Sequence, residues 1–210
     1  MGSEGAREVV AKAGCMMIPT LAWPLLSLLA LPLGWLEYRL LRKTRWALVL
    51  AIFVGAAIFG PWIFALLHTA RVQTASGLVL GLALVGFGLA LWLTAAPRIL
   101  RVPGQISAAP AQLVTEGPYR WLRHPLYAGH VLVISGVVLG AGAWQVFLET
   151  PLLWAIAAAG SLCEERFILA PRFGQSYDDL RRRTALLLPR WAWALWGLLY
   201  LSVARRVWSG

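Results

Sequence analysis

Uncharged apolar runs of about 20 residues recur along this chain between short clusters of arginine, and that alternation is its strongest constraint. About 20 apolar residues in a helix cross the roughly 30 Å hydrocarbon layer of a bilayer, so each such run is a candidate span. A soluble chain of 210 residues has no use for 60% hydrophobic and only 13% charged residues. The mean hydropathy of +0.69 leads to the same expectation: an all-α, polytopic membrane protein of about five transmembrane helices, with residues 1–210 forming a single integral membrane domain.

Five runs fit. The first covers about residues 16–36 and contains Pro19, Pro24 and Pro32, which kink a helix but are tolerated where neighbours satisfy the freed carbonyls. The second covers 46–67 with Gly60-Pro61 inside it. The third, 76–96, carries Gly77, Gly81, Gly86, Gly88, Ala83 and Ala90, small residues that let membrane helices approach closely. The fourth and fifth, 124–142 and 145–162, have almost nothing polar between them and are expected to form a tight helical hairpin. Residues 1–96 thus hold three spans, and residues 97–190 hold a long loop, the hairpin and a charged segment. Residues 191–210 read as a Trp-rich interfacial or re-entrant helix, because its apolar run of about 14 residues is short for a crossing.

The net charge of +10 does not point to nucleic acid, because it lies between apolar runs and not on a polar domain. It instead orients the chain. With the N-terminus outside, sixteen of the nineteen basic residues fall on one side, leaving Arg7, Lys12 and Arg71 on the other. Lys and Arg collect in cytoplasmic loops, so the loop at 97–123 and the segment at 164–190 are expected to face the cytoplasm. Seventeen arginines against two lysines fit a GC-rich bacterial genome, hence a bacterial inner membrane. The mixed charge of residues 1–14 is unlike a secretory signal, so the first run is expected to be retained as a helix.

Chemistry concentrates on that charged side. Arg123, His124 and Tyr127 begin the fourth span, Pro125 takes a position that suits proline at a helix start, and Glu164 and Glu165 end the fifth. The hairpin brings these ends together. Acids at a helix C-terminus oppose the helix dipole and call for a cationic partner. S-adenosylmethionine offers one, with a sulfonium, an ammonium and a carboxylate beside its adenine and ribose. Methyl transfer then needs alignment and desolvation more than acid–base chemistry. Cys15 and Cys163, with His68, His124 and His130, form no metal-ligand pattern.

Leu113-Val114-Thr115-Glu116-Gly117-Pro118-Tyr119, then Arg123-His124-Pro125-Leu126-Tyr127-Ala128-Gly129, then Glu164-Glu165, then Phe173-Gly174-Gln175-Ser176-Tyr177 and Pro189 resemble the isoprenylcysteine carboxyl methyltransferase and phospholipid methyltransferase family. The resemblance covers residues 113–189. It implies S-adenosylmethionine bound on the cytosolic side, partly by the segment after the last matched helix, and a lipophilic acceptor that enters from the surrounding membrane lipids. It also implies that Gln112, Leu113, Val114 and Tyr119 line the adenosine, that His124, Pro125, Leu126 and Tyr127 line the methionine end, and that Glu164 with Glu165 holds the amino group or ribose. Arg123 and Arg183 are the catalytic candidates beside the acceptor.

Three positions depart from the pattern. Gly160 stands where prenylcysteine enzymes carry an arginine one turn before the paired acids, so a prenylcysteine carboxylate is not the expected acceptor. One extra residue near Pro171 would turn a continuous helix by about 100°, which predicts a kink or bulge. Leu180 replaces a second aromatic. The alternatives are a membrane reductase of the sterol type using a nicotinamide cofactor, similar around Arg-His-Pro-x-Tyr, and a non-enzymatic membrane subunit or transporter. The absence of charges inside the spans argues against an ion path.

Overall fold

The computed structural model describes residue 28 and residues 47–69, 71–102 and 110–209. The first expected span, the basic cluster at 39–45 and the middle of the long loop lie outside the described residues. Among those described, regular structure is helical, joined by one isolated parallel bridge between Leu122 and Ala185. The helices are α1 (Ala47–His68), α2 (Ala75–Leu100), α3 (Pro125–Gly140), α4 (Trp144–Phe147), α5 (Thr150–Glu164), α6 (Ala170–Phe173), α7 (Gln175–Arg183) and α8 (Arg190–Ser209). A 3₁₀ turn at Gly117–Arg120 precedes α3, and a π-helical turn at Glu165–Leu169 joins α5 to α6. Two stretches are long and apolar enough to cross a membrane, Ala75–Leu100 and the near-continuous rod Trp144–Phe173, and Pro125–Gly140 is a shorter apolar helix.

Thr74 caps α2 by accepting a hydrogen bond from the Gly77 amide at 3.1 Å. The helix then runs through Pro97 to Leu100, four residues past its expected end. Its glycines explain its partner. A Cβ on Gly81 would lie 2.5–2.6 Å from backbone atoms of Gly140 and Gly136, and one on Gly88 would lie 2.7 Å from the Gly129 carbonyl. The α2 and α3 backbones therefore touch through facing glycines, as small residues permit in a membrane bundle. Gly86 takes no part, with open space where its Cβ would be.

The elements alternate between two ends. Arg98 near the close of α2 lies against Gly117, α3 starts there at His124, and α5 ends there at Glu164. At the far end Val72 bonds to Gly142, and the Trp144 indole donates to the Val72 carbonyl at 2.7 Å. The hairpin of α3 with α4 and α5 is present as expected, and its core of Val131, Val138, Phe147, Leu153 and Trp154 is buried.

Helix α8 is longer than the apolar run read from the sequence. It has 20 residues, about 30 Å at 1.5 Å per residue, and it lies along the body for its whole length. Trp193 and Trp196 pack on Trp154, the Tyr200 hydroxyl donates to the Leu148 carbonyl, and the Arg206 guanidinium lies over the Trp144 ring. The helix therefore runs from the charged end to the far end instead of lying across one face. The reason is length: Arg190 at one end and Arg205 to Ser209 at the other extend the helix beyond the apolar run. Arg205 and Arg206 thus stand at the end opposite the paired acids, and the basic residues among those described divide ten to three.

Overpacking a close helix contact costs about 1–3 kcal/mol. Gly81→Val and Gly88→Val are expected to lose at least that and to lower the unfolding temperature in detergent, whereas Gly86→Ala should leave it unchanged. Equal behaviour of the three variants would contradict the glycine contact.

Candidate functional site

The charged end is assembled around the first turn of α3. Gly117 adopts φ +58°, a left-handed conformation natural to glycine, and a Cβ there would strike the Arg98 guanidinium. Pro118 and Tyr119 are buried in the turn that follows. Trp121–His124 then runs beside Thr184–Leu186: the Ala185 amide donates to Trp121, the Arg123 amide to Ala185 and the His124 amide to Leu186, at 2.8–3.1 Å. Two segments sixty residues apart are thereby locked together, and His124 enters α3 with Pro125 at the first helical position as expected.

Arg123 connects three elements. Its Nε donates to Glu165 Oε1 at 2.7 Å, and its Nη1 donates to the carbonyls of Thr184 at 2.6 Å and Arg181 at 3.1 Å, which end α7. A cation on the last carbonyls of a helix also opposes its dipole favourably. His124 completes the cluster, with Nε2 3.2 Å from Glu165 Oε1 and Nδ1 3.7 Å from Glu164 Oε2. Its ring meets Tyr127 edge to face.

The two acids differ in what they have left to offer. Glu165 is buried, with side-chain exposure of 6%, and shared by Arg123 and His124, whereas Glu164 is 33% exposed. Both lie beyond Leu162, where the apolar run ends. Burial alone would raise the Glu165 carboxyl, but hydrogen bonding from His124, Arg123 and the Tyr177 side, with the Arg123 charge, outweighs it and holds the group at about 2. Burial pushes the Tyr119 phenol up, and so does the charge of Glu164; Tyr177 rises by burial and by the closeness of Glu165. The buried hydroxyls of Tyr119 and Ser161 make no hydrogen bond within the protein.

The expected bulge near Pro171 is present. The Ala170 amide bonds back to the Glu165 carbonyl, five residues earlier, so the π turn absorbs one extra residue just before Pro171. Gly174 (φ +50°) then breaks the rod, and α7 leaves with Tyr177 and Leu180 buried against Leu169 and Leu113. Leu180, in place of an aromatic, fills this small core. Arg172 reaches back to bond the Pro110 carbonyl, fastening residues 110–116 beside α6.

Of the residues singled out from the sequence, Tyr119, His124, Pro125, Tyr127, Glu164, Glu165 and Arg123 gather at this end, with Leu113, Val114 and Leu126 partly buried and Gln112 exposed. Arg183 is exposed, and its side chain joins neither an ion pair nor a hydrogen bond of the cluster. Tyr177 and Ser161 were not among the expected site residues. Tyr177 was quoted in the Phe173–Tyr177 motif, so a signal existed, whereas Ser161 lies in the apolar run with none.

Residues 76–176 match the phospholipid methyltransferase family. The stretch reaches from the glycine-bearing helix α2 to the start of α7 and bears out the resemblance read from the motifs; it supports a membrane methyltransferase. The nickel-cobalt-cadmium resistance protein NccN of Alcaligenes xylosoxydans xylosoxydans is 31% identical over 153 residues, 69% of this chain and 63% of that protein. The chain therefore spans under two thirds of that relative's length. No solved structure matches.

Removing one partner of a buried ion pair costs about 3–5 kcal/mol, so Arg123→Ala should destabilise the protein by that order, and Arg183→Ala should not. Glu165 has a folded value lowered from 4.5 to about 2. Its contribution is complete above 4.5 and is lost as pH falls toward 2, so thermal stability should drop across that interval. The drop should flatten in Glu165→Gln; an unchanged acid profile would show that Glu165 is not the group titrating.

Proposed function

We propose that this protein transfers the methyl group of S-adenosylmethionine to a lipophilic acceptor held in the bilayer. The observation that carries the reading is the meeting of His124, Glu164, Glu165 and Tyr119 at one end of the α3–α5 hairpin, within a stretch that matches a methyltransferase family. The residues suit the cofactor. A buried hydroxyl without a partner carries a desolvation cost that a ligand can offset, and the Tyr119 hydroxyl is such a group. Glu164 has carboxylate surface to spare for an ammonium or for ribose hydroxyls.

Bound there, the cofactor supplies an electrophilic methyl carbon on its sulfonium. The chain's own part is to hold and to shield. Glu164 binds the amino group or ribose, Leu113, Val114 and Tyr119 flank the adenosine, and His124 with Tyr127 packs the methionine end. Arg123 acts through Glu165 and the α7 carbonyls, keeping the floor of the site in place. Ten of the thirteen basic residues among those described fall at the site's end, which supports a site on the cytoplasmic side of a bacterial inner membrane with the N-terminus outside.

Glu164→Gln and Glu164→Ala should weaken S-adenosylmethionine binding about tenfold or more, the usual worth of a charged hydrogen bond, with unfolding temperature retained. Calorimetry giving wild-type affinity in both folded variants would refute the site. His124→Ala should weaken it too and also lower stability through Glu165.

The acceptor is neutral or amine-bearing. A Cβ on Gly160 would lie 3.5 Å from the Tyr127 ring, so no cation stands at that position and the ring occupies its approach. The Arg123 guanidinium is committed to Glu165 and α7, and a second anion would meet Glu164. Desolvating a carboxylate without a cation costs several kcal/mol. Given a farnesylated cysteine, a phospholipid amine and a hydrophobic thiol side by side, the protein should methylate the prenylcysteine slowest; fastest turnover of the prenylcysteine would overturn this.

A further inference from the structure

Away from the charged cluster, α1, α2 and α3 enclose a cavity of about 490 Å³. Its wall is hydrocarbon and aromatic (Trp62, Leu66, Leu89 and Val137 among others), and among the described lining residues the polar groups are the His130 ring and the indole N–H donors of Trp62 and Trp92, so His130 supplies the side-chain acceptor. That volume is within the range of pockets that hold one small ligand, roughly 300–1,000 Å³.

The cavity has a direction. Helices α1 and α3 run away from the charged end and α2 runs toward it. Phe59 precedes Leu66 on α1, Gly129 and His130 precede Val137 on α3, and Trp92 follows Leu89 on α2. All three orders put Phe59, Trp92 and His130 at the end nearest the site, and the rings do meet: His130 lies 5.6 Å from Phe59 and 6.3 Å from Trp92 between centroids. His130 is six residues along α3 from His124, about 9 Å at 1.5 Å per residue. The opposite end is wholly apolar. Partial exposure of Ile63, Leu89 and Val137 opens the side of the cavity toward lipid.

One ring nitrogen of His130 is turned to the Leu126 carbonyl one turn earlier. A neutral imidazole that donates there keeps its other nitrogen as an acceptor. Among the described lining residues there is no Lys or Arg to pair with an anionic head, whereas an uncharged N–H, S–H or O–H head finds an acceptor in His130.

We propose that this cavity binds the acceptor: a single-tailed hydrophobe whose apolar body lies between α1, α2 and α3 and whose neutral hydrogen-bond donor meets His130, facing the charged end. The identity of the ligand as the methyl acceptor rests on the methyltransferase reading, and the cavity itself does not. Occupancy is therefore measured without turnover, on the full chain in nanodiscs, by quenching of its tryptophans with a mid-chain-dibrominated octadecanol. Trp62 and Trp92 line the cavity, so saturable quenching is expected, and it should fall in Trp62→Phe/Trp92→Phe. Ile134→Phe and Val137→Phe, which fill the space, should weaken binding at least tenfold while calorimetry finds S-adenosylmethionine affinity unchanged. His130→Phe keeps the shape and should weaken the alcohol about three- to tenfold, the worth of a neutral hydrogen bond, with no change for dibrominated octadecane. Equal quenching in the filled variants, or equal quenching by a dibrominated two-chain phospholipid, would overturn the proposal. Saturable binding of the alcohol by a protein that methylates none of its amine, thiol or alcohol analogues would uphold the cavity and refute the methyltransferase reading.

Discussion

Arg123 is the constraint on which the charged end depends. One guanidinium joins a carboxylate at the close of α5 to two carbonyls at the close of α7, and its own amide is tied to Ala185. The pair is buried, so its Coulomb gain is set against desolvation, and its worth lies chiefly in fixing geometry. It holds Glu165, while the neighbouring Glu164 keeps exposed carboxylate surface. Two adjacent acids of the same chemistry thus stand in different surroundings, one committed within the protein and one open.

A second constraint operates through absence of side chain. Gly81, Gly88, Gly129 and Gly136 bring the α2 and α3 backbones together, and α3 carries His124 and Tyr127 at one end and the cavity wall along its side. The same helix therefore sets the distance from the acids to the apolar space. Further bulk between α2 and α3 would shift both at once.

Much of this was legible in the sequence. Apolar run lengths located α2, α3 and α5, because hydrophobic length is read directly from residue type. The bulge near Pro171 followed from counting residues against the family pattern, and the π turn supplies it. The full length of α8 was not legible, since Arg190, Arg205 and Arg206 lie outside a purely apolar window while still being helical. Nor was the role of Arg123. The family resemblance places it beside the acceptor, but whether a guanidinium is free or committed depends on the carbonyls of Arg181 and Thr184, which only folding brings near. The orphaned Ser161 hydroxyl had no pattern to announce it.

The strip from Thr184 to Pro189 is held at both ends. Its start is bonded to Trp121 and Arg123, and it continues directly into α8, whose aromatic residues are packed on the body down to Arg206. Such a strip has no free end. On the other side of α7, Gly174, with its positive φ and open surroundings, joins that short helix to the rod. The C-terminal helix therefore works as a stay that fixes one margin of the charged end, while the opposite margin turns on a glycine.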